Sequence, residues 1–178
     1  MDAALEHRGL TLVELMVCVA IAAVLLTIAV PGMQAFLARR QLEGLSAQFV
    51  ADLQYARTAA VARGERLRLR FQTIDSGSCY LLHSSAADTC TCLVDQPPQC
   101  SGNAEALRVV YLPSSDHATV RANVGSMLID PRQGTVSPSG SVEITSSDGV
   151  ALRHVVNILG RVRLCTPATR INHVPACS

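Results

Sequence analysis

Arg8-Gly9-Leu10-Thr11-Leu12-Val13-Glu14-Leu15 leads into sixteen residues, Leu15 to Val30, that carry no charge and only one polar side chain, Thr27. Counted from Leu10 to Val30, the run is twenty-one residues long and is broken by a charge once, at Glu14. As a helix rising about 1.5 Å per residue it reaches roughly 30 Å, the depth of a bilayer core. A secretory signal peptide has a similar outline, but its apolar part usually spans about 7–15 residues and ends at a small-residue cleavage site. Here the run continues past Pro31 into a helical pattern, and cleavage within the polar start, Met1 to Gly9, would leave the hydrophobic segment on the mature chain. Glu14 is the anomaly, because a carboxylate near the end of a membrane helix must be neutralised, reach the interface or find a cation.

The combination of Gly9, Thr11 and Glu14 with the following apolar run resembles the class III signal of type IV pilins and type II secretion pseudopilins. The resemblance implies that a prepilin peptidase cuts between Gly9 and Leu10 and that Leu10 becomes the N-methylated first residue. It also implies that Glu14 is the assembly carboxylate, which pairs with the N-terminal amine of a neighbouring subunit. An amine with a reference pKa near 8 suits that role, since a carboxylate among apolar helices needs a positive partner. One departure is Leu10, where the family usually has Phe.

Beyond Pro31, apolar residues recur at Met33, Phe36, Leu37, Leu42, Leu45, Phe49, Leu53, Ala56 and Ala60. Steps of three and four dominate, which places them on one helix face. The other face carries Arg39, Arg40, Glu43, Gln48, Asp52, Arg57 and Arg63, and Gly64 is a natural stop. The reading is a leader (1–9), a transmembrane helix (10–30), an amphipathic stem helix (31–64) and a β head (65–178). A continuous helix from Leu10 to Arg63 would be roughly 80 Å long. The Tyr55-Ala56-Arg57-Thr58-Ala59-Ala60 ending, leading straight into a strand, resembles the GspH/FimT branch of the pilins.

After Gly64 the period switches to two, with Arg66, Arg68 and Arg70 alternating with Leu67, Leu69 and Phe71. Six further strands are expected at Cys79 to His83, Leu107 to Leu112, Ala118 to Val124, Met127 to Asp130, Val142 to Thr145 and Arg153 to Leu164. Turns fall at Asp75-Ser76-Gly77-Ser78, Gln96-Pro97-Pro98, Pro131-Arg132-Gln133-Gly134 and Pro138-Ser139-Gly140. The fold class is therefore α+β, with an antiparallel sheet system packed on the helix. It is the type IV pilin-like arrangement that the resemblance implies.

Of seven cysteines, Cys18 lies in the apolar run and reads as a small hydrophobe. The other six would lie in the periplasm, where disulfides persist, and six cysteines permit fifteen pairings. Cys165 with Cys177 is expected, since it would staple the tail from Thr166 to Ala176, as C-terminal disulfides do in many pilins. Cys79, Cys90, Cys92 and Cys100 could pair within one loop, and their spacing lacks the paired C-x-x-C knuckles of a structural zinc site.

The net charge is only +1, which excludes a chain that is basic throughout, and 49% apolar content excludes a largely disordered one. The total hides a segregation: residues 36–70 sum to +4, 71–148 to −5, and no acid follows Asp148 while Arg153, Arg161, Arg163 and Arg170 do. All fifteen cations are Arg, a bias that genome base composition can produce. Arg is also the side chain that grips phosphate with a planar fork of donors.

No constellation supports an enzyme. His7, His83, His117, His154 and His173 are scattered, Ser139 lacks the opening glycine of a nucleophile elbow, and the Asp116-His117 pair has no nucleophile beside it. Neither a metal nor a cofactor is expected. The tail offers a different chemistry. In Asn157-Ile158-Leu159-Gly160-Arg161-Val162-Arg163-Leu164, two arginines two apart on a strand would point to one side about 7 Å apart, close to the spacing of successive phosphates. Gly160 leaves room for close approach or for a bulge. The Gly-Arg-x-Arg element inside a GspH/FimT-type head resembles the DNA-binding motif of FimT-like minor pilins used in natural transformation. That resemblance implies sequence-independent binding of double-stranded DNA by Arg161 and Arg163, with Arg153 and Arg170 as helpers. With no Trp and few aromatics a single-strand stacking platform is not expected, and binding should be steeply salt-dependent. The competing reading is a GspH-like structural pseudopilin at the tip of a type II secretion pseudopilus, with protein contacts only. Either way the resemblance implies that the partners are other pilins or pseudopilins. It also implies a location in the inner membrane, single-pass with a periplasmic head, and then in the filament.

Overall fold

A computed structural model describes residues 12–94, 96–116, 118–168 and 174–177. Gly9, Leu10, His117, Arg170 and His173, all singled out above, lie outside the described residues. The chain divides into two compact units, Met1–Leu37 and Ala38–Ser178, and helix α1 (Leu12–Arg63) runs through both.

In the first unit Leu12, Val13, Leu15, Ile21, Leu25, Val30, Met33, Phe36 and Leu37 are all exposed. Thr27, the lone polar residue of the run, donates its hydroxyl to the Val24 carbonyl at 2.7 Å, so its polarity is satisfied within the helix. Glu14 lies within the described part of helix α1. Among the described residues no single unbroken helix is long and apolar enough to cross a membrane, and only the bent pair Leu12–Thr27 and Gly32–Arg63 has a length and composition compatible with a span.

In the second unit the helix buries Leu42, Phe49, Leu53, Ala56 and Ala60, the stripe the spacing predicts from Leu42 onward. Gly64, at φ +67°, ends it. The strands follow in order as β1 (Leu67–Ile74), β2 (Gly77–Ser84), β3 (Cys90–Leu93), β4 (Gln96–Cys100), β5 (Ala106–Pro113), β6 (Ala118–Ala122), β7 (Ser126–Ile129), β8 (Val136–Ser137), β9 (Gly140–Ser146), β10 (Ala151–Val156) and β11 (Val162–Cys165). They form a five-stranded sheet ordered β5-β2-β1-β7-β8, a four-stranded sheet ordered β11-β10-β9-β6 and the hairpin β3-β4. The helix and both larger sheets share one core, to which Leu69, Tyr80, Met127, Ile144 and Leu152 contribute.

Three sequence expectations need correction. The segment from Arg153 to Leu164 is two antiparallel strands rather than one, because Asn157 and Gly160 close a turn between them. Gln96-Pro97-Pro98 lies in strand β4 rather than a turn. Its pairing runs Cys90↔Cys100, Thr91↔Gln99 and Leu93↔Gln96, and the register shift between Thr91 and Leu93 accommodates prolines that have no N–H to donate. Asp52, expected on the polar helix face, is only 1% exposed and accepts hydrogen bonds from Tyr80 Oη and Arg108 Nε, both at 2.8 Å.

The Arg66/Arg68/Arg70 alternation holds, and the outward side chains of β1 have a structural task. Arg68 Nη2 donates to the Ala86 carbonyl, Arg70 Nη1 donates to those of Asp88 and Cys90, and Gln72 Oε1 accepts from Cys92 N at 2.7 Å. Alternate residues of one strand thus latch the backbone of the β3-β4 segment over the sheet. The Cys79–Cys92 disulfide bolts that segment to β2, and Cys90–Cys100 closes the hairpin. Cys165–Cys177 forms as expected, with Cα atoms 4.9 Å apart.

Two buried histidines make the head sensitive to acid. His83 lies in β2 opposite Arg68, with Arg70 and Asp88 also acting on it, and His154 bonds Ser46 Oγ through Nε2 at 2.8 Å and packs edge-on against Phe49. Burial lowers the pKa of both below the ordinary histidine value. Below about pH 6.5 the unfolded chain therefore binds protons that the folded chain refuses, so stability is complete above that pH and falls as pH drops. The slope contributed is up to about 1.4 kcal/mol per pH unit for each histidine. Melting curves of wild type between pH 7.5 and 5.5 should show this fall, and His154→Gln should lessen it, leaving the share of His83. A melting temperature level down to pH 5 would contradict it.

Candidate nucleic-acid interface

The Gly-Arg-x-Arg element sits where β10 turns into β11. Asn157 organises the turn: its carbonyl accepts from Gly160 N at 2.8 Å, its side-chain Oδ1 accepts from Arg161 N at 2.9 Å, and its own N donates to the Arg161 carbonyl at 3.1 Å. The Ile158 carbonyl accepts from Val136 N at 2.8 Å, which ties the turn to β8. Gly160 is buried at φ +68°, and a Cβ built there would lie 2.5 Å from Arg57 Nε. The room that this glycine provides is therefore filled from inside, by the guanidinium of Arg57, whose Nε also donates to the Gly134 carbonyl at 2.9 Å. Residue type alone puts Arg57 on the solvent-facing side of the helix. The signal that it does more is its spacing, four after Leu53 and three before Ala60, at the border of the buried stripe.

Arg161 and Arg163 are both exposed, and neither forms an ion pair among the described residues. Arg163 faces Val155 across the β10-β11 ladder. With Arg153, Val155, Ser141 and the Pro175–Cys177 segment it lines a groove of about 580 Å³. One wall of that groove is fixed by the Cys165–Cys177 disulfide and by Thr166, whose N donates to the Pro175 carbonyl and whose carbonyl accepts from Cys177 N.

Arg153 is engaged within the sheet, donating from Nε and Nη2 to Glu143 Oε2 at 3.0 and 2.8 Å. Sequence reasoning missed Arg121, which lies opposite Glu143 in β6. Cross-strand partners share a face, so Arg121, Arg153 and Arg163 with Glu143 make the outer face of the four-stranded sheet net positive. The missing information was strand order. Arg68 and Arg70 belong to the other sheet, where carbonyls of the β3-β4 segment occupy them.

Residues 45–160, more than half of the chain, match the protein family described as Type II transport protein GspH. This chain belongs to the GspH family. A second match, to the prokaryotic N-terminal methylation motif, covers residues 6–30 and so includes Gly9, Leu10 and Glu14. The GspH match stops at Gly160, one residue short of Arg161. Among solved structures, the type IV minor pilin FimU of Pseudomonas aeruginosa is similar in fold, with a TM-score of 0.52 at 19% identity over 74% of this chain and 96% of FimU. The minor pseudopilin EpsH of the Vibrio cholerae type 2 secretion system aligns with a TM-score of 0.46 at 14% identity, over 72% of this chain and 98% of EpsH. No curated protein sequence matches the chain. It is a GspH/FimT-type minor pilin or pseudopilin with the α+β, type IV pilin-like fold, and this family is one of filament subunits rather than enzymes.

Proposed function

We propose that this GspH-family pilin binds the backbone of double-stranded DNA through Arg161 and Arg163, as a minor subunit of a type IV pilus that serves natural transformation. The observation that carries the reading is the braced turn, which presents two exposed arginines without acidic partners among the described residues, beside a sheet face that is itself net positive. Contacts of this kind read charge and not sequence. In the same proposal, prepilin peptidase cuts after Gly9, Leu10 is methylated, and Glu14 pairs with a neighbouring subunit. Before assembly, residues 10–30 anchor the chain in the inner membrane with its head in the periplasm.

The test is the Arg161→Gln/Arg163→Gln chain against a random duplex. Affinity should fall at least about tenfold, and the slope of log K against log salt should lessen by about two, roughly one unit for each phosphate no longer gripped. A strain carrying the pair should lose transformation while still displaying filaments. Unchanged duplex affinity would leave a structural pseudopilin that works through protein contacts.

A further inference from the structure

The tip of the β10-β11 turn has the wrong chemistry for a turn that only reverses the chain. Such tips favour Gly, Asn, Asp, Ser and Pro, whereas this one carries Ile158 and Leu159, 60% and 51% exposed. The fold uses the Ile158 carbonyl, which accepts from Val136 N, and leaves both side chains in solvent. The tip is also held firmly, by the Asn157 hydrogen bonds, by the bond to β8 and by Arg57 packed beneath Gly160. Two adjacent aliphatic side chains on a braced projection mark a contact surface. The charge beside them selects its partner, because Arg161 and Arg163 follow immediately and call for a polyanion that also has an apolar interior.

We propose that Ile158 and Leu159 are a wedge that enters the minor groove of duplex DNA at a deformable base step, while Arg161 and Arg163 hold the flanking phosphates. This rests on the DNA reading of the two arginines and adds how the duplex is engaged. A two-residue turn tip is narrow enough for a groove about 6 Å wide, which a helix is not. Aliphatic wedges partly unstack a base step and bend the duplex by about 20–90°. Pyrimidine–purine steps yield most easily, so a mild sequence preference arises without any base hydrogen bond.

The experiment uses the full-length chain in a neutral detergent and a 30-base-pair duplex carrying a fluorophore at each end. Wild type should shorten the end-to-end distance on binding and prefer a central TA step over an A-tract by about threefold. Ile158→Ser/Leu159→Ser, at exposed positions, should keep the wild-type melting temperature and bind up to about tenfold more weakly, but lose both the bend and the preference. Ile158→Leu/Leu159→Ile should restore them. Binding without bending, or a bend that survives the serine pair, overturns the wedge and leaves the arginine reading standing. No duplex binding by wild type, or binding that Arg161→Gln/Arg163→Gln does not weaken, overturns both.

Discussion

Asp52→Ala should lower the stability of the head by about 2–4 kcal/mol, from a buried hydroxyl left without its acceptor and the cavity beside it. The reason lies in what the aspartate leaves behind. Tyr80 is 2% exposed, and its hydroxyl donates to Asp52 Oδ2, while Arg108 Nε reaches Oδ1 from the rim. Burial first, then the hydrogen bond to Asp52, pushes the Tyr80 phenol well above its ordinary pKa, so it stays a neutral donor. Without Asp52 that donor is buried with no acceptor, and a cavity opens between the helix and β2. For a head of this size, the loss corresponds to a fall in melting temperature of about 10 °C. The decisive comparison is Asp52→Leu/Tyr80→Phe, which removes both polar partners and should cost far less than the sum of the single changes, because no unsatisfied group remains. Additive losses across that cycle would show that the Asp52–Tyr80 bond is not the source.

How much of this is legible in the sequence depends on range. The leader, the helix stripe and the alternation of β1 are local patterns, and periodicity alone exposes them. Cys165 and Cys177 pair as expected because they bracket a short tail. Asp52 misleads although its position, three after Phe49 and four before Ala56, lies inside the apolar stripe; residue type outweighs spacing. Its partners Tyr80 and Arg108 come from strands 28 and 56 residues away, which no local pattern joins. The same applies to Arg121, whose place beside Glu143 follows only from strand order. The β3-β4 hairpin is hidden because two prolines read as a turn, while its latches are the arginines and glutamine of β1.

Gly160 links the fold to the proposed interface, and Gly160→Val should cost about 3 kcal/mol, combining a β-branched residue at positive φ with a displaced side chain. The new Cβ would sit 2.5, 2.6 and 3.0 Å from Nε, Cδ and Cζ of Arg57, so the guanidinium must leave and the bond to the Gly134 carbonyl must break. Arg57→Ala in the Gly160→Val background separates the two contributions, because it removes the atoms the new Cβ would meet and leaves the backbone strain and the lost bond to Gly134. The double variant should therefore be more stable than the sum of its single changes predicts, by about 1–2 kcal/mol. DNA binding should be weakened in Gly160→Val and in the double variant alike, since Arg161 is aimed by a turn that rests on Arg57 and both variants lose that brace. If Gly160→Val melted with wild type and bound duplex equally well, the glycine would be serving the solvent side of the turn, as its place before Arg161 first suggests, and the Arg57 brace would not be what holds the arginines in place.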